Sequence, residues 1–589
     1  MIAGKSPGPD NMDKAPQVSL HSTAHFFLEG LNEIGVEYLF CNLGTDHAPL
    51  IEEMARWRAA GRAFPKTLLC PHENTAVNMA AGYAMVTGRG QAVMVHVDVG
   101  TANAAMGLHD ACRSRVPLLL MAGKAPYTVR GELPGSRDTY VHFIQEPFDQ
   151  GAIVRNYVKW EWTLPSGIVT KEVLRRAHAV AHSDPPGPVY LALPRETLAQ
   201  TWDANAVRSF PAERYGAAGA GAASSEAVAA IVERLLAARH PILITAYAGR
   251  NRRAPGVIEE LARFAGIRVF EFNPVYLNIS RASPAWGGIL PGRHVAEADA
   301  GLLVDVDVPW IPKDTRENPG TWWAHIDVDV VKERIPIWGF PSNLRLPGDS
   351  VLILSQVLEA LKARATPAFR EAASRRLEAM TLERDGRRAE LATLAADKGG
   401  QDGVNPHYLC AELAAALGED DIVVNEAIRN AGVVINQIPR SRPGTSLGSG
   451  GGGLGYSAGV ALGAKLARPE AVVVQVVGDG SYYFCNPSSV YAVSRQYRLP
   501  IFTVVLDNSG WSAVKEATLR MYPDGASKSL DAFEARLAPD IGFAGVCEAA
   551  GGHGETLTDP ATAPAAIRRC LIAVRDGRPA VLHAKIPVL

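Results

Sequence analysis

Two short stretches of glycine and polar residues have the residue types to hold a phosphate-bound cation. Gly478-Asp479-Gly480-Ser481 follows the apolar run AVVVQVV, and Asp507-Asn508-Ser509-Gly510 follows IFTVVL, with Asn508 29 positions after Asp479. That distance is one strand–helix–strand crossover. The right-handed crossover rule carries both stretches to the carboxyl ends of strands in one sheet, where open α/β sheets take their ligands. Magnesium prefers an octahedron of oxygens and rarely takes a full protein cage. The Asp479 carboxylate, the Asn508 amide oxygen and the Gly510 carbonyl supply three, and a water and two diphosphate oxygens would complete the set. Gly480 lets the backbone approach a phosphate, and the Ser481 N–H and hydroxyl can donate to it at a helix start. An Asp-Gly turn and an unrelated loop asparagine would explain either stretch alone; their joint spacing and strand context favour the cation reading.

Further residues stand out elsewhere. Glu73 lies in Pro71-His72-Glu73, between the run KTLLC and a small-residue helix. Alone it reads as a glutamate favoured by a helix N-terminus. His96 ends the run QAVMVHV and has a side chain able to move protons near neutral pH; a partly buried strand histidine is the alternative. The glycine-rich run Gly448–Gly455 fits GxGxxG at Gly448, Gly450 and Gly453, but no apolar strand leads into it and no ribose-binding acid stands out. It lacks the GK[ST] of a P-loop.

The elements that must position these residues alternate. VEYLFC, KTLLC, QAVMVHV, VPLLLMAG and GPVYLALP are short β-branched runs separated by helical patterns, which predicts a parallel sheet covered by helices on both faces. The pattern degrades near residue 201, and AAGAGAASSE reads as a linker. Alternation resumes with HPILITAY, IRVFEF, AGLLVDVDV and TWWAHIDV, and again with DIVVN, AVVVQVV, IFTVVL and AVLHAKI. The fold class is therefore α/β, with three doubly wound parallel-sheet domains at 18–200, 223–365 and 403–589, a charged helical linker at 366–402, and a disordered tail at 1–17. The first and third resemble each other: AAGYAMVTGRGQAVMVHVDVGTAN and SAGVALGAKLARPEAVVVQVVGDGSYY are each a small-residue helix, a turn, an apolar strand and an Asp/Gly loop.

Composition bounds the rest. At 589 residues the chain exceeds one hydrophobic core, so three domains of ~150–200 residues are expected. A net charge of −2 offers no basic field for nucleic acid or anionic membrane, and no apolar run approaches the ~20 residues that span a bilayer. Seven scattered cysteines fit reduced thiols in a cytoplasm. A small-molecule ligand is the default.

Gly-Asp-Gly followed at this spacing by an asparagine at a strand end resembles the signature of thiamine diphosphate-dependent enzymes. The resemblance covers about residues 20–589 and is closest to the branch of acetolactate synthase and benzoylformate decarboxylase. It implies thiamine diphosphate and Mg²⁺ as cofactors. Asp479, Asn508 and the Gly510 carbonyl would bind the metal, with Gly478, Gly480 and Ser481 at the diphosphate. Leu454 would be the apolar residue that props the cofactor into its bent form, and Glu73 the glutamate that hydrogen-bonds its pyrimidine. The three domains become pyrimidine-binding, middle and diphosphate-binding. First and third domains of different subunits sandwich each cofactor in that family, so a homodimer or homotetramer is implied.

Asn42-Leu43-Gly44-Thr45 is similar to the Asn-Pro-Gly-Ser loop of benzoylformate decarboxylase, which gives Thr45 a hydroxyl for a substrate carboxylate. His96 to Ala104 resembles that enzyme's catalytic-histidine run. Phe143-Ile144-Gln145-Glu146 instead resembles acetolactate synthases, and Ala282-Ser283-Pro284 stands where a second decarboxylase histidine is expected. Asp46, His47 and His72 are unassigned polar candidates; Trp511 and Lys515 follow the metal loop and face either the substrate or solvent. The expected activity is decarboxylation of a 2-oxo acid with carboligation open. The alternatives are an acetolactate synthase-like carboligase, a lyase of a 2-hydroxyketone, diketone or acyl-CoA substrate, and a catalytically silent cofactor-binding protein. Acetolactate synthases also hold FAD in the middle domain, for which no decisive sequence sign exists here.

Overall fold

The computed structural model describes residues 19–588; the tail expected at 1–17 lies outside them. Three six-stranded sheets, all parallel, form the frame. The first contains Tyr38–Cys41, Lys66–Leu69, Ala92–Val95, Leu118–Lys124, Glu161–Thr163 and Pro188–Pro194. Numbered along the chain, these lie side by side in the order 2-1-3-4-6-5. The third contains Ile422–Glu426, Ser446–Leu447, Val473–Gly478, Phe502–Asp507, His553–Leu557 and Ala580–Lys585, in the same order. The likeness read between the two stretches of sequence is thus a likeness of topology. The middle sheet, Pro241–Thr245, Arg268–Glu271, Trp286–Gly288, Ala300–Val304, Trp322–Asp327 and Leu344–Pro347, runs 3-2-1-4-5-6.

Central strands are buried on both faces, as with Phe502–Asp507, whose six residues are all buried; helices cover both sides and the strand reads as a mostly apolar run. A short strand the sequence does not announce, Ser446–Leu447, leads directly into the glycine-rich run. It corrects the expectation that no strand precedes it: two residues at a sheet edge leave no apolar signature. A two-stranded antiparallel ribbon, Leu20–Ser22 with Thr201–Asp203, closes the first unit.

The helix Glu73–Thr87 packs on Ser457–Ala467. Each follows the second strand of its own sheet, so the two repeats dock through equivalent elements. Small residues let the backbones meet: a Cβ on Gly82 would fall on the Val460 carbonyl oxygen, and one on Gly463 on that of Met79. The linker forms one helix, Pro367–Ala396, capped by Thr366. It is only partly solvated: Phe369, Ala373 and Met380 are buried, and Arg376 and Arg387 donate to middle-unit carbonyls of Ala265, Gly266, Trp286 and Gly287. Among the described residues no helix is long and apolar enough to cross a membrane.

Candidate active site

A 2-1-3 strand order reverses direction between strands one and three, and loops leaving their carboxyl ends diverge to open a crevice. The first and third sheets each have one, and the residues singled out by sequence collect there.

In the first sheet, Glu73 begins the helix after strand two and is 7% exposed. Asn42, after strand one, donates to its Oε1 at 3.2 Å, and Asn103, on the helix after strand three, donates to Oε2 at 3.1 Å. The carboxylate is thereby aimed by two amides. His72 caps the same helix, its Nδ1 accepting from the Asn74 N–H. His96 precedes the helix Val97–Arg113 and pairs through Nδ1 with Asp46, whose side chain is fully buried. The Asp46 hydrogen bond outweighs burial and raises the His96 pKa, with Gln145 contributing. Burial opposes ionisation of Asp46, but His96 and the neighbouring His47 hold its carboxyl below the usual range. Asp46 occupies space that only a glycine leaves, since a Cβ on Gly123 would fall on Asp46 Oδ2. Thr45, exposed, hydrogen-bonds His142 Nε2 at 3.2 Å, and burial lowers the His142 pKa. His47 is buried and accepts the Gly44 N–H, a structural role. Glu146 pairs with Arg137.

In the third sheet, Asp479 follows strand three and is 3% exposed. Burial and the neighbouring Asp507 push its pKa up to about 7, so the carboxyl sits where a cation would be welcome. Asp507 is committed elsewhere: His583 Nε2 lies at 2.7 Å and Lys585 Nζ at 2.6 Å. These contacts outweigh burial and hold it well below the carboxylate range. Asn508 is 7% exposed; its Nδ2 donates to Ser512 Oγ at 2.5 Å, and its Oδ1 has no partner among the described residues. A buried acceptor of this kind calls for a missing donor or cation. The Gly510 N–H donates to Asp479 Oδ2 at 2.9 Å. A cleft of about 190 Å³ opens here, lined by Ala427–Asn430, Leu454, Gly478–Ser481, Asn508 and Trp511. Trp511 packs its ring edge against Phe484 at 5.7 Å between centroids. Lys515 turns to Asp531 at 3.1 Å and lines a neighbouring cavity.

The donor set fits a diphosphate-bound Mg²⁺: one carboxylate with a raised pKa, one orphaned amide oxygen and a glycine-lined strand end. In the middle sheet the loops at the strand ends are held by internal contacts. Its first βα turn is filled by the buried Tyr247 ring, with Ala246 and Tyr247 both donating to the Asp305 carbonyl. Glu271, at the end of strand two where a ribose would be held, is consumed by Arg281 at 2.9 Å and Trp286 at 3.1 Å. Around the turn, the buried Asp327 carboxylate pairs with Lys332 Nζ at 2.6 Å, and Ser350 donates to the buried Asp305.

Sequence reasoning named Asp46 without a role and missed His142 and the amides of Asn42 and Asn103 as partners of Glu73. Those contacts join residues 30 to 97 positions apart, and a single sequence carries no signal for them.

Comparison with known proteins agrees with the geometry. Residues 21–153 match the N-terminal TPP binding domain of thiamine pyrophosphate enzymes, and residues 430–584 match the C-terminal TPP binding domain. The chain belongs to the thiamine diphosphate-dependent enzymes. Its relatives put it in the branch of benzoylformate decarboxylase and acetolactate synthase. Benzoylformate decarboxylase of Pseudomonas aeruginosa is 26% identical, over 84% of this chain and 87% of the relative. Acetolactate synthase isozyme 3 large subunit of Escherichia coli is 26% identical, over 87% and 86%. The thiamine diphosphate-dependent 4-hydroxybenzoylformate decarboxylase of Rhodococcus jostii shares the fold, with TM-score 0.77 at 20% identity over 97% of this chain and 100% of that one. Benzoylformate decarboxylase of Polynucleobacter necessarius does so at TM-score 0.76 and 17% identity, over 96% and 98%.

Proposed function

We propose that this protein decarboxylates a 2-oxo acid with thiamine diphosphate and Mg²⁺. The observation that carries the reading is the orphaned, buried Asn508 Oδ1 beside the raised-pKa carboxyl of Asp479. Residues 18–200, 223–365 and 403–589 act as pyrimidine-binding, middle and diphosphate-binding domains. Asp479, Asn508 and the Gly510 carbonyl hold the metal; Gly478, Gly480 and Ser481 face the diphosphate; Leu454 supports the rings. When bound, the cofactor supplies the electron sink that lets a carboxylate leave as CO₂.

The chain's own residues handle orientation and protons. Glu73, aimed by Asn42 and Asn103, holds and exchanges a proton at a pyrimidine nitrogen. His96, whose pKa is raised by the Asp46 carboxylate, donates a proton near the reacting carbon. Thr45, hydrogen-bonded to His142, receives the substrate carboxylate. The split between a raised and a lowered histidine pKa supports acid and base roles in one pocket. FAD is not needed for this reading.

The cleft at Asp479 is lined entirely by residues of the third unit, while Glu73 belongs to the first. A homodimer in which each Glu73 serves the partner's cofactor, alone or doubled to a homotetramer, accounts for this.

An acetolactate synthase-like carboligase is the second reading, favoured by Gln145 acting on His96. CO₂ release from aliphatic and aromatic 2-oxo acids, with products identified by mass, tests both. An aldehyde supports the decarboxylase and a coupled hydroxyketone the carboligase. No CO₂ from any acid overturns both.

A further inference from the structure

We propose that Glu426 is a positioning residue that fixes Leu454 beneath the cofactor by gripping the peptide that follows it. The inference rests on the cofactor placement above and adds a residue to it. Glu426 is the last residue of the first strand of the third sheet, at the crevice, and is 1% exposed. Its two oxygens accept three hydrogen bonds from one short stretch. Oε1 takes the Gly455 N–H at 2.5 Å; Oε2 takes the Ser457 N–H at 3.0 Å and the Ser457 hydroxyl at 2.5 Å.

Gly455 directly follows Leu454, so the carboxylate holds the backbone from which the leucine projects. The grip is anchored in the sheet: Ser457 Oγ accepts from Gln475 Nε2 at 2.8 Å, and Gln475 Oε1 accepts from Thr503 at 2.9 Å, on strands three and four. A fully satisfied buried network of this kind enforces one geometry.

The opposite side of the turn is fixed too. Gly455 has φ +88° and lies against the Phe484 backbone, in the helix that Asp479 begins. A side chain at Gly455 would meet both obstacles. Asn74, next to Glu73, donates to the Phe484 carbonyl at 3.2 Å. Leu454 itself is half-buried and faces the cleft, so its height is set from behind by Glu426 rather than by packing around its own side chain.

The test uses the full-length protein with Mg²⁺ and thiamine diphosphate. In Glu426→Gln the amide nitrogen faces a donor, so the grip loosens while volume is kept. Expected are faster deuterium exchange of the 455–457 amides in the cofactor-free protein, cofactor affinity within about tenfold of the parent, an altered near-ultraviolet dichroism of the bound cofactor, and C2-proton exchange slower by about 10- to 100-fold. Combining it with Leu454→Ala should add nothing to the Leu454→Ala loss. Glu426→Asp, which keeps the charge and should fold, is expected to lose less than Gln. Unchanged dichroism and exchange in both variants, or losses that multiply with Leu454→Ala, would overturn the proposal. If the parent fails to bind the cofactor, or Glu73→Gln leaves C2 exchange intact, the cofactor reading itself fails. If those behave as expected and the Glu426 variants match the parent, only this inference does.

Discussion

The Gly510 amide donates to Asp479 Oδ2 across 2.9 Å, tying the loop after strand four of the third sheet to the end of strand three. Asn508 and Asp479 are thereby fixed relative to each other by backbone, and the Asn508 oxygen has no partner among the described residues. Asp479→Ala and Asn508→Ala should each weaken Mg²⁺-dependent thiamine diphosphate binding at least about 100-fold while the far-ultraviolet dichroism stays unchanged. Titration calorimetry measures this, and undiminished affinity in both variants removes the metal assignment.

The Asp46 carboxylate beside His96 raises its pKa from the ordinary value. The His96 contribution to stability is present below its unfolded-chain value and fades as pH rises through the folded one, whereas that of Asp46, whose pKa is lowered, is lost as pH falls through its folded value. Asp46→Asn should move the basic limb of the kcat/KM profile to lower pH. An unmoved limb would mean that His96 does not report there. Gly123→Ala, which displaces Asp46, should act in the same direction.

The docked helices make a stability prediction. Gly82→Ala drives a methyl onto the Val460 carbonyl and should cost about 1–3 kcal/mol, the usual penalty for overpacking, seen as a lower unfolding midpoint. Ala at Gly256, where nothing lies within 4 Å of a Cβ, should leave the midpoint the same or higher.

If Glu73 and Asp479 serve one cofactor from two chains, inactive variants should rescue each other. Mixing Glu73→Gln with Asp479→Ala under subunit exchange should restore about a quarter of parental activity, since half of the dimers are hybrids with one intact site. No recovery, with exchange verified by native mass spectrometry, would mean that each site lies within a single chain.

The frame was legible where burial is two-sided. Strands such as Val473–Gly478 and Phe502–Asp507 read as apolar runs because both faces are covered. The strands that escaped notice, Glu161–Thr163, Trp286–Gly288, Leu344–Pro347, Ser446–Leu447 and His553–Leu557, are all at sheet edges, where a half-solvated face or a two-residue length erases the pattern. The places of Asp479, Asn508 and Glu73 at strand ends were legible because each stretch directly follows an apolar run. Glu426, Asn103 and His142 were not, since each matters only through a partner brought near by folding.

The most direct test of the account follows the C2 proton of bound thiamine diphosphate by acid-quench NMR in the parent and in Glu73→Gln. The account predicts parental exchange at least about 100-fold faster than in the variant, with Mg²⁺-dependent binding equal in both. Equal exchange rates in two folded, cofactor-loaded proteins would contradict it.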